Sequence, residues 1–156
     1  MSLSLHEMVI RFMAALLLGA IIGIERELVG KEAGIRTSML VAGGASIFTI
    51  VGLSLPYLLG TSPQNISEIL ARNSGFLTII ANIVVGVGFL GAGIIIKTEQ
   101  HVHGLTTAAV IWITAAIGTL VGVGLIEFSV IAAITITVLL YITRGIGITP
   151  HATQKD

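Results

Sequence analysis

The chain has no cysteine, only 3 prolines and a Lys+Arg count of 8 that equals its Asp+Glu count. Without thiols there is no disulfide framework, no thiolate nucleophile and no cysteine metal site. A net charge of zero provides no basic face to neutralise phosphates, so nucleic acid is not an expected partner. Charged residues make up 10% of the chain, against roughly 25% in an ordinary soluble domain. There is too little polar material to cover a domain of 156 residues with a water-facing surface.

What is present in abundance is apolar sequence. Hydrophobic residues make up 54% of the chain, and the mean hydropathy is +1.03. A membrane-crossing helix needs about 20 mainly apolar residues, and five stretches meet that length, at about 5–24, 37–59, 75–96, 105–123 and 127–143. The expected fold is therefore an all-α membrane bundle in one domain, with the lipid bilayer as its surroundings. The first stretch is expected to be a retained helix rather than a cleaved leader. His6 and Glu7 precede Arg11, whereas a leader opens on basic residues.

Loop lysines and arginines set the expected orientation. Arg26, Lys31 and Arg36 follow the first span, Lys97 follows the third, and Arg144 and Lys155 follow the fifth, whereas only Arg11 and Arg72 fall on the other side. This bias places the N-terminus outside and the C-terminus in the cytoplasm. The polar segment 60–74 is then an outer loop, in which Ile66, Ile69 and Leu70 suggest a short interfacial helix.

Several groups of residues are candidates for chemistry. Gly86-Val87-Gly88-Phe89-Leu90-Gly91 has the GxGxxG spacing of dinucleotide-binding turns, but it lies in an uncharged membrane-length run without the strand and the acidic partner that chemistry needs. No cofactor is expected. Gly86, Gly88, Gly91 and Gly93 instead suggest close helix packing, with a locally broken, site-lining helix as the alternative. Asn82, one turn earlier, is either interhelical glue or a solute ligand.

At the end of span one, Glu25, Arg26 and Glu27 face Lys31, Glu32, Arg36 and Thr37 across a short turn rich in glycine. Balanced charges of this kind suit a pairing network; a solute, ion or proton site is the competing reading, because ionisable groups in membranes are so often functional. Thr106 and Thr107 open span four, where a hydroxyl caps a helix N-terminus or helps it attract an anion. His101 and His103 form a weak candidate metal pair without a third ligand. No Ser/His/Asp set or paired-carboxylate cleft is visible, so the chain is not expected to be an enzyme.

Four blocks occur in order: Gly23-Ile24-Glu25-Arg26, Gly34-Ile35-Arg36-Thr37, the glycine block Gly86 to Gly93, and the segment from Gly104 through Thr106, Thr107 and Trp112 to Gly118. Together they resemble the membrane domain of the MgtC/SapB family over about residues 9–143. The resemblance implies a five-helix bacterial or archaeal inner-membrane protein with an external N-terminus. It also implies links to magnesium limitation, acid stress and, in pathogens, survival inside macrophages. Its expected partner is the F-type ATP synthase. Separately, the helix-packing glycines and the short chain with little enclosed volume make a homodimer the expected assembly. A small ion or solute transporter, with its polar site at the cytoplasmic helix ends, is the alternative function. Two departures stand out. The ACT-like C-terminal domain of many members is not expected here, and Thr78 to Asn82 replaces an Arg-x-Ala-Ala-Gln segment common in relatives, losing the arginine.

Overall fold

The computed structural model describes residues 3–60, 75–99 and 101–144. Five helices are long and apolar enough to cross a membrane: α1 (Leu5–Leu28), α2 (Ile35–Leu59), α3 (Gly75–Ile94), α4 (Leu105–Val123) and α5 (Ile126–Thr143). A two-stranded antiparallel ribbon, β1 (Ile96–Lys97) with β2 (Val102–His103), joins α3 to α4. The all-α membrane bundle expected from the apolar runs is what the chain forms. Residues 61–74 of the outer loop, with its expected short helix at Ile66, Ile69 and Leu70 and with Arg72, lie outside the described residues, as does Lys155.

Helix α2 is the centre of the bundle, packed against α1, α3 and α4. Its inward positions are small or hydroxylic, with Ser38, Ala42, Ala45, Ser46 and Thr49 all buried. Lipid tails are as apolar as leucine, so burial of apolar surface does little to draw membrane helices together. Close backbone approach does it instead. Two glycine pairs at a spacing of four make that approach. A Cβ on Gly19 would lie 2.5 Å from the Ser38 carbonyl oxygen, and one on Gly23 2.5 Å from the Ile35 Cα. Gly118 meets the Ala42 backbone, and Gly122 meets Thr49, its would-be Cβ 2.6 Å away. The buried apolar core, including Ala15, Leu18, Ile22, Val110, Ile117 and Val121, fills the space beside these contacts.

Four helix boundaries differ from the sequence expectation: α3 ends at Ile94 because Ile96 enters β1, α5 begins at Ile126, and the other two bear on the site. Helix α1 continues one turn further and takes Glu25, Arg26 and Glu27 into the helix rather than the loop. Arg26 bonds Thr107 and Glu27 bonds the Ile35 N–H there, which removes the usual reason for charges to end a span. Helix α2 starts at Ile35 because the Glu27 carboxylate accepts its N–H at 2.9 Å, in place of a side-chain cap on Gly34. At the other end of the bundle, Arg11 donates to the Gly122 carbonyl at 2.8 Å. A cation therefore meets the C-terminus of α4, where the helix dipole favours it. Gly124, at φ 106, closes that helix in the left-handed region, with a backbone no side chain adopts cheaply.

Candidate functional site

The polar groups gather at the end of the bundle that carries the α1–α2 turn. Glu25 and Arg26 occupy the last turn of α1 and are 6% and 4% exposed. The Arg26 Nη1 lies 3.7 Å from the Glu25 Oε2. Its Nη2 donates to the Thr107 Oγ1 at 3.3 Å, and that hydroxyl donates onward to the Glu32 Oε2 at 3.2 Å. One threonine on α4 thus links the end of α1 to the turn before α2. The Glu32 carboxyl is held below the usual carboxylate range by its own backbone N–H first and by the Thr107 hydroxyl second. The Glu25 Oε2 and the Arg26 Nε are buried without a hydrogen-bond partner among the described residues.

Thr107 does not cap α4. The N-cap is Gly104, at φ 84, with no side-chain cap bond. A Cβ at Gly104 would strike the Ile94 carbonyl, so the entry into α4 is fixed by backbone shape and leaves the hydroxyl free for Arg26. Thr106, its neighbour, is exposed.

Among the described residues, cavities open near this end. A groove of about 780 Å³ between α2 and α3 is lined by Arg36, Thr37, Asn82 and Gly86 and by apolar side chains such as Leu40, Phe48 and Ile83. A smaller cavity of about 270 Å³ between α1 and α5 is lined by Glu25, Thr137, Tyr141 and Arg144 among apolar neighbours. The sequence candidates are therefore divided. Arg36, Thr37 and Asn82 share the groove, Glu25 faces the small cavity, and Arg26 bonds Thr107 where α1 meets α4.

Other expectations need correction. Inside the chain the glycine block of α3 does not make the tight packing: a Cβ on Gly86, Gly88 or Gly93 would meet nothing within 4 Å, and one on Gly91 would meet only Ala108, at 3.5 Å or beyond. That role falls to Gly19, Gly23, Gly118 and Gly122. Trp112 is 48% exposed on α4. The Thr114 hydroxyl donates to the Val110 carbonyl one turn back in its own helix. His101 and His103 are exposed on the ribbon with ring centroids 6.2 Å apart. Among the described residues no three His, Asp or Glu side chains gather as a metal site.

Residue patterns missed Arg11, Glu27 and Glu32 as partners of helix ends and of Thr107. The two four-residue glycine spacings, Gly19 with Gly23 and Gly118 with Gly122, are the sequence signal of the packing helices.

Residues 12–147 match the MgtC family. The chain is 40% identical over 131 residues to "Protein MgtC" of Salmonella typhimurium (strain LT2), covering 84% of this chain and 49% of that protein. It is 38% identical over 135 residues to "Putative magnesium transporter YhiD" of Escherichia coli (strain K12), covering 82% and 56%. It is 41% identical over 122 residues to "Protein MgtC" of Brucella abortus (strain 2308), covering 78% and 45%. The chain spans about half the length of these curated relatives. No solved structure matches it. With most of its five-helix bundle inside the matched region, the chain belongs to the MgtC family.

Proposed function

We propose that this chain is a non-enzymatic regulator in the inner (cytoplasmic) membrane, linked to magnesium limitation or acid stress, that acts by contact with another membrane complex. The family match and the magnesium-related name of one relative support the physiological setting. The observation that carries the contact reading is the division of the polar groups. A carrier gathers its ligating groups around one solute near mid-membrane. Here Arg26, Thr107 and Glu32 bond one another, Glu27 caps α2, and Glu25 and Asn82 line different cavities. Such a network stiffens one end of the bundle and holds a fixed surface, made of the α1–α2 turn and the β1–β2 ribbon, toward a partner. Arg26, Lys31, Arg36, Lys97 and Arg144 all belong to this end, which suits a cytoplasmic face.

The partner to test first is the F-type ATP synthase. The test adds the purified chain to vesicles containing the synthase and follows ATP-driven proton pumping. A dose-dependent fall in pumping is expected, weakened by charge reversal at the exposed Lys31 and Lys97. Unchanged pumping at stoichiometric folded protein would overturn this partner.

A second reading, a small ion or solute transporter, is favoured by Glu25. Its buried Oε2 lacks a hydrogen-bond partner among the described residues, and the residue lines the cavity between α1 and α5.

A further inference from the structure

The groove between α2 and α3 contains a group that ordinary lipid does not satisfy. Asn82 is the eighth residue of the 20-residue helix α3, so its amide sits near mid-membrane. The residue is exposed, lines the groove, and makes no side-chain hydrogen bond to any described residue. Acyl chains have neither donors nor acceptors, so an amide at this depth calls for a polar partner on whatever fills the groove. Beside it the walls are open. Gly86 on α3 and Gly44 on α2 both face the groove, and a Cβ on either would meet nothing within 4 Å. Backbone is thus exposed one turn from the amide, where a second helix axis can come close.

We infer that this groove is the interface between two copies of the chain, in which α3 of each copy lies against the α2–α3 groove of the other and the two Asn82 amides pair. The chemistry of the amide selects a second copy. A carboxamide is self-complementary, offering N–H donors and a carbonyl acceptor in one group. Copies inserted in the same orientation and related by a twofold axis along the membrane normal place Asn82 at equal depth. A foreign helix needs a polar side chain at that one level, whereas a second copy provides it by symmetry. A single buried asparagine pair is also a known means of fixing register between parallel helices. The remainder of α3 agrees with a partner on this side, since among the described residues it is the least buried of the five spans and Phe89 is 81% exposed. The interface uses a different surface from the turn and ribbon assigned to the regulatory contact, and stands whether or not that function holds.

The absence of cysteine makes the test direct, because each introduced thiol is unique. Single-cysteine variants Asn82→Cys and Gly86→Cys are reconstituted in lipid vesicles and oxidised, with Val84→Cys on another face of α3 and Ile131→Cys on α5 as controls. Cross-linked dimer is expected at positions 82 and 86 and not at 84 or 131. In parallel, photobleaching of the labelled protein counts subunits per vesicle. Asn82→Leu is expected to weaken dimerisation by about three- to tenfold, the range of interhelical hydrogen bonds, with Asn82→Gln restoring it. Gly86→Cys and the subunit count keep the test decisive if the Asn82 variants fold poorly. A monomer in pure lipid, as expected if a lipid or a foreign helix fills the groove, would overturn the inference. So would cross-linking at Ile131→Cys in place of positions 82 and 86.

Discussion

Arg26 is buried at the end of a membrane-spanning helix, where each N–H removed from water needs an acceptor. Its Nη2 finds one in the Thr107 hydroxyl, which in turn donates to Glu32. A hydrogen bond to a charged group is worth about 1.5–3 kcal/mol when its loss strands a buried partner. Thr107→Val keeps the shape and removes the hydroxyl, so it is expected to lower unfolding stability in detergent by an amount in that range. Thr107→Ser should recover most of the loss. The same hydroxyl helps set the acid response of Glu32. The Glu32 carboxyl is held below its ordinary range in the folded chain, so the folded state binds its proton less readily than the unfolded state. Its contribution to stability is therefore fully present above the ordinary carboxylate value of about 4.3 and is lost as pH falls through the lowered one. A thermal-unfolding series across pH is expected to show a steeper acid loss for the native chain than for Glu32→Gln.

At the scale of the helix, small residues decide which faces meet. Helix α2 is held on one side by Gly19 and Gly23 of α1 and on the other by Gly118 and Gly122 of α4. Gly118→Leu forces a side chain into the Ala42 backbone, and overpacking of this kind costs about 1–3 kcal/mol. Gly88→Leu on α3 enters open space, and a change of about 0.5 kcal/mol or less is expected there. Urea unfolding of both variants in the same detergent checks the contrast. The end of α2 provides a separate check: Glu27→Ala removes the acceptor for the Ile35 N–H and is expected to cost about 1 kcal/mol, a typical value for a lost cap.

These contrasts also explain what was legible in the chain before its fold was known. Five apolar runs of membrane length mark five helices because the bilayer leaves the backbone few other ways to bond itself. Helix ends were less legible where charges found partners: Glu25, Arg26 and Glu27 read as a loop by residue type yet continue α1. The glycine block from Gly86 to Gly93 reads as packing by composition alone, but which helix face lies against α2 depends on tertiary arrangement. Glu25, Arg26, Arg36 and Thr107 were legible as a polar group at one end of the helices. Their division between a bonded relay and two cavities was not, because it depends on the rotation of α1, α3 and α4 about their axes.

The whole molecule is a bundle in which Arg11 and Glu27 are tied to helix ends and the buried Arg26 to Thr107, with its larger described cavity between α2 and α3. That arrangement fits a protein that works through its surfaces better than one that passes a solute through its interior. The most direct test is ion flux in proteoliposomes holding the purified, folded chain, with magnesium- and pH-sensitive dyes inside and Glu25→Gln and Arg36→Gln run alongside. The account predicts magnesium and proton flux no greater than in protein-free liposomes. Saturable flux that disappears in both folded variants would contradict it and place a transport site among these charged residues.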